Sequence, residues 1–172
     1  MKRSFELLKP LPLFACGLLL GVASRLFDLY TQVLCSVFSE MAIWILLGTL
    51  IAIFSPTMRR AALNLPPFCL GMLITYYATA MLTHGVYDWS FILGWTAFAL
   101  LSPAMACLAW LSRERGVLPR LIGVGIVLTS ILSSLLLFDG LHFYDFIIDA
   151  LLIYVIFIKR VSRPCRRRRE RA

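Results

Sequence analysis

Four stretches of this chain contain no aspartate, glutamate, lysine or arginine: residues 41–58, 61–87, 89–112 and 121–138. Each is at least 18 residues long, about what a helix needs to cross a hydrocarbon core of roughly 30 Å. A helix at the surface of a soluble domain keeps one polar face, whereas lipid accepts helices that are apolar all round. Composition agrees: 60% of the 172 residues are hydrophobic and 15% charged, against about 45–50% and 25% in soluble domains. The runs predict an all-α, polytopic integral membrane protein.

Two weaker runs flank these four. Residues 11–27 are apolar apart from Arg25, and residues 141–158 apart from His142, Asp145 and Asp149. Together they predict six transmembrane helices near 11–27, 33–55, 62–82, 90–111, 120–138 and 141–158. Residues 1–160 then form a single transmembrane domain, and 161–172 a polybasic tail. The connections are short, so consecutive helices are expected to be antiparallel neighbours. Apolar runs of this kind exclude a soluble nucleic-acid binder, and no nucleic-acid partner is expected. The five cysteines form no C-x-x-C pair, which excludes a disulfide framework and favours their role as small apolar residues.

Basic residues fix the expected orientation. Six spans put both termini and the loops near 55–60 and 112–120 on one side, together with 16 of the 17 Lys and Arg residues. The opposite loops carry Asp28, Asp88 and Asp139 and no base. The positive-inside rule then places both termini in the cytoplasm, in a cytoplasmic (plasma) membrane. A cleaved signal over the first span is the competing reading, but Glu6 lies in its n-region and no A-x-A site follows.

Helix punctuation fits these spans. Asn64 before Leu65-Pro66-Pro67 reads as an N-cap with prolines in the first turn, and Pro119 opens the fifth span similarly. Pro103 after Ser102 should kink the fourth. Gly17 and Gly21 form a small-xxx-small pair that lets backbones approach closely, either within the bundle or against a membrane protein partner.

Ionisable groups inside a membrane are costly unless paired or wetted, and so mark candidate sites. Counting from the cytoplasmic ends at about 1.5 Å per residue, Arg25 and Glu40 lie roughly 22 Å up, Tyr76 and Asp145 roughly 21 Å, and Asp149 about 15 Å. The shared depth predicts a polar, ligand-binding pocket in the outer half, lined by Arg25, Glu40, Tyr76, Asp145 and Asp149. Arg25 and Glu40 are the expected ion pair, and His142, Asp145 and Asp149 share one helix face. The competing reading is structural: Arg25 snorkels, or its pair with Glu40 only locks two helices. His84 with Asp88, or His142 with Asp145, could hold a metal, but interface histidines are the simpler reading; no metal and no cofactor is expected.

No G-x-S-x-G nucleophile or H-E-x-x-H helix is present, so no catalytic residue is assigned and an enzyme is the least favoured class. The run from Arg163 to Arg171 is expected to anchor the topology and bind anionic lipid. Tyr87, Trp89 and Trp95 read as an outer aromatic belt.

In whole-chain layout the sequence resembles small six-span proteins of bacterial cytoplasmic membranes that have no assigned activity. The segments carrying this likeness are Met41–Phe54 (MAIWILLGTLIAIF) and 61–77 (AALNLPPFCLGMLITYY). Size, six spans and minimal loops are also similar to the substrate-binding S-components of energy-coupling factor transporters. That resemblance implies a small molecule bound in the outer half and docking through small residues of the first span, where Gly17 and Gly21 lie. A small-solute binding or transport component is therefore expected, with a non-catalytic scaffold as the alternative.

Overall fold

The computed structural model describes residues 9–83, 89–137 and 142–158. The described chain is helical, in the order α1 (Pro10–Tyr30), α2 (Gln32–Ser39), α3 (Met41–Phe54), α4 (Met58–Leu82), α5 (Trp89–Leu111), α6 (Val117–Leu137) and α7 (Phe143–Ile153), with a π-helical turn over Tyr154–Ile158. Four segments are long and apolar enough to cross a membrane: Pro10–Tyr30, Met58–Leu82, Ile92–Leu111 and Val117–Leu136. Met41–Phe54 is a shorter apolar helix, and its 14 residues span about 21 Å. The stretch expected as one span over 33–55 is instead broken at Glu40, whose backbone is extended (φ −81°, ψ 152°).

Burial is distributed as lipid demands. Large apolar side chains such as Leu19, Leu63, Ile74, Leu100, Leu121 and Leu136 point outward, while Ser24, Thr49, Ser55, Asn64, Ser102, Ser130 and Ser134 are buried. With no hydrophobic force between helices in lipid, small and hydrogen-bonding side chains hold such interfaces together. The molecule is a helical membrane protein.

A close backbone approach joins α1 to α4, side by side and parallel. A Cβ at Gly17 would collide with the Phe68 carbonyl oxygen, and one at Gly21 with that of Met72. From the other side, a Cβ at Gly71 would stand 2.7 Å from the Phe14 carbonyl oxygen. Thr75 closes the seam by donating to the Leu18 carbonyl at 2.7 Å. The Gly17/Gly21 face is thus covered by α4 of the same chain.

Asn64 does not cap a helix. Helix α4 begins six residues earlier, where the Thr57 hydroxyl accepts from the Arg60 N–H at 3.2 Å, as an N-cap threonine does. Pro66 and Pro67 consequently lie inside α4. Asn64 is 1% exposed and donates through Nδ2 to Ser55 Oγ at 3.2 Å. Pro103 lies inside α5 as expected. It removes the N–H that would reach the Ala99 carbonyl, and the Ser102 hydroxyl donates to that same oxygen at 2.6 Å, re-satisfying it locally.

Candidate functional site

Four of the five expected pocket residues fall into two hydrogen-bonded groups, and the fifth, Asp149, bonds separately to Ser130. The first joins α1 to α4. Arg25 pairs with Asp28 (3.6 Å) one turn along its own helix, and its Nε donates to Thr83 Oγ1 at 3.1 Å. Tyr76 donates its hydroxyl to Asp28 Oδ2 at 2.7 Å. Asp28, read from the sequence as a loop residue, is therefore the partner of both. The expected Arg25–Glu40 pair is not formed, because α2 intervenes and the helix breaks before Glu40.

The second group lies where that break meets α7. Glu40 is 2% exposed; its Oε1 accepts the Tyr144 hydroxyl at 2.6 Å and lies 3.1 Å from His142 Nδ1. Asp145 is fully buried. Its Oδ2 accepts the His142 backbone N–H at 2.8 Å, the reach-back bond of an N3 acid at a helix start, and stands 3.9 Å from His142 Nδ1. The His142 and Tyr144 rings stack at 5.2 Å with 1° between their planes. Each buried carboxylate keeps an oxygen without a hydrogen-bond partner among the described residues, Oε2 of Glu40 and Oδ1 of Asp145.

Asp149 lies one turn deeper on α7. Ser130 of α6 donates to its Oδ1 at 2.7 Å, and Asp149 is 8% exposed. Tyr144 and Ser130 are not among the sequence-based site candidates, and His142 is read there only as a possible metal ligand with Asp145. The i, i+3 spacing of His142 and Asp145 was a usable signal; nothing local in the sequence joins Tyr144 to Glu40.

A cavity of about 300 Å³ opens elsewhere, between α3, α4, α5 and α6. Trp44, Phe68, Trp95 and Phe98 wall it, with Thr49 and Thr129 among its few polar groups. None of Arg25, Glu40, Tyr76, Asp145 and Asp149 lines it. Trp95 packs edge-on against Trp44 at 6.5 Å, so it forms a cavity wall rather than part of an outer belt. Trp89 is exposed. Tyr87, His84, Asp88, Asp139 and the tail from Arg163 to Arg171 lie outside the described residues.

The chain belongs to a family of unknown function, DUF6518, whose profile matches residues 4–161. No curated protein and no solved structure matches it. The likeness to energy-coupling factor S-components finds no support in these comparisons.

Proposed function

We propose that this protein is a multi-pass membrane component that binds, or carries across the bilayer, a small apolar or amphiphilic solute. The supporting observation is the aromatic-walled cavity among α3, α4, α5 and α6, whose volume falls in the range of roughly 300–1,000 Å³ used by small-molecule sites. A few hydroxyls on an apolar wall suit a solute with one polar end. The polar residues favoured from sequence, Arg25, Glu40, Tyr76, Asp145 and Asp149, stand outside the wall of this chamber.

Six crossings with both termini in the cytoplasm remain the preferred arrangement. Helices α2 and α3 together make the second crossing, and α7 with its π-turn the sixth. The one-sided basic residues support this, and the tail from Arg163 to Arg171 then lies against anionic lipid. The Arg25–Asp28–Tyr76–Thr83 contacts favour the scaffold alternative, because they tie α1 to α4 without touching the cavity.

The test uses N-phenyl-1-naphthylamine, with energy transfer from Trp44 and Trp95 as the readout, on protein in nanodiscs. Gly125 lines the cavity and a Cβ added there meets nothing within 4 Å, so Gly125→Leu is the variant chosen to add apolar bulk at its wall. Saturable transfer that weakens about tenfold in Gly125→Leu, equivalent to about 1.4 kcal/mol, supports solute binding. Transfer no different from empty nanodiscs, or unchanged in that variant, rejects it.

A further inference from the structure

The group at the α2–α3 break stands apart from the cavity, whose wall includes none of Glu40, His142 and Asp145. Glu40 and Asp145 bring two carboxylates from distant parts of the chain into one buried place, with side chains 3% and 0% exposed. One oxygen of each is engaged. Tyr144 and His142 meet Glu40 Oε1, and the His142 backbone N–H meets Asp145 Oδ2. The other oxygen of each, Glu40 Oε2 and Asp145 Oδ1, is buried with no hydrogen-bond partner among the described residues. Buried polar atoms are seldom left so, and two acidic groups at such proximity repel. One ligating atom from each of Glu40, His142 and Asp145 lies within 4.8 Å of the others.

We propose that Glu40, Asp145 and His142 bind a divalent transition cation of the zinc or manganese kind. Such an ion would neutralise both carboxylates and supply the contacts their second oxygens lack. An imidazole beside two carboxylates suits Zn²⁺ or Mn²⁺ better than Mg²⁺ or Ca²⁺, which take oxygen shells. The ion enters past His142, whose side chain is 51% exposed. Tyr144 orients two of the three ligands: its hydroxyl holds Glu40 and its ring lies flat on His142. Asp145 doubles as the cap of α7, so the metal would be tied to the start of that helix. Three protein ligands leave further coordination positions for water or a bound anion.

The test is equilibrium dialysis of the purified full-length protein against Zn²⁺ and, separately, Mn²⁺, with bound metal counted by mass spectrometry. Retention of one ion per chain for either metal is the expected result. Glu40→Gln and His142→Gln should each weaken retention by at least the roughly tenfold to hundredfold expected of Tyr144→Phe, which removes only an orienting bond. Asp145→Asn also weakens the α7 cap, so Glu40→Gln and His142→Gln decide the matter if that variant does not fold. The proposal is overturned if the wild-type protein retains neither ion. It is equally overturned if both deciding variants retain metal as tightly as the wild type.

Discussion

Arg113 donates through Nη1 to the carbonyl oxygen of Ile53 at 2.6 Å, and so caps the end of a helix 60 positions away in the chain. The same nitrogen reaches the Ser55 carbonyl at 3.1 Å, and the guanidinium lies 4.7 Å from the centre of the Trp110 ring. Trp110 Nε1 also donates to the Ser55 carbonyl, at 3.2 Å. A cation at a helix C-terminus meets the negative end of the helix dipole and carbonyls that lack intrahelical donors. Arg113→Ala should therefore destabilise the protein by about 1.5–3 kcal/mol, the usual worth of a charge-assisted hydrogen bond. Arg113→Lys should recover only part, since an ammonium lacks the planar fork that bonds and stacks together. Thermal unfolding in detergent checks both, and an unshifted Arg113→Ala melt would contradict the assignment.

The α1–α4 seam makes a paired prediction about glycines. At Gly17 and Gly21 an added Cβ meets backbone carbonyls, which cannot move aside, whereas at Gly94 it meets nothing within 4 Å. Gly21→Val should cost at least the roughly 1–3 kcal/mol of an overpacked core. Gly94→Ala should be neutral, or gain up to about 1 kcal/mol from helix propensity. Equal losses at the two sites in a melting comparison would show that the seam is not the constraint.

Charge exchange separates the observed pairing from the one read off depth alone. Exchanging Arg25 and Glu40 puts a glutamate beside Asp28 and an arginine against His142, so the doubly exchanged protein should fold poorly. An exchange within the true pair, Arg25→Asp with Asp28→Arg, should retain more folded protein, although it moves the acceptor that Tyr76 uses. Monodispersity on size-exclusion chromatography is the readout. A well-folded Arg25/Glu40 exchange would refute the assignment of Asp28 as partner.

Ser130 and Asp149 form a buried pair at 2.7 Å. Ser130→Ala leaves one oxygen of a buried carboxyl without its donor and should cost about 1–3 kcal/mol. Combining it with Asp149→Leu removes both polar partners and should cost less than the two single changes added together. A strictly additive double-mutant cycle, measured by chemical unfolding, would show that the bond contributes nothing.

Topology is open to cysteine labelling. Thr31, Thr57 and Glu114 are all exposed. A cysteine placed at Thr57 or Glu114, in a background lacking the native cysteines, should react with an impermeant maleimide only after the membrane is opened. One at Thr31 should react in intact cells. The reverse pattern would overturn the proposed orientation.

The helices were legible because lipid imposes a condition readable in one dimension: uncharged length. Runs 61–87 and 121–138 needed no tertiary information to become α4 and α6. Side-chain partners depend on rotation about each helix axis and on breaks, which hydropathy averages away. Arg25 and Glu40 matched in depth, yet the extended residue at Glu40 turned that carboxylate towards α7. Asp28 was recoverable, since three positions from Arg25 on a helix is one turn, but its place at the end of an apolar run made it look like loop. Asn64 shows a local rule overridden. Thr57 offered an equally good cap about two turns earlier, and burial against Ser55 gave Asn64 another partner.

The contact of α1 with α4 also orders events during synthesis. Leu18 and Thr75 meet across 57 residues of chain, with two further helices made between them. The first helix must therefore wait in the bilayer with its glycine face bare until α4 arrives. Its longest-lived exposed surface is then a strip of main chain rather than of side chains. Pairing of α1 through its glycine face therefore has to follow the synthesis of α4.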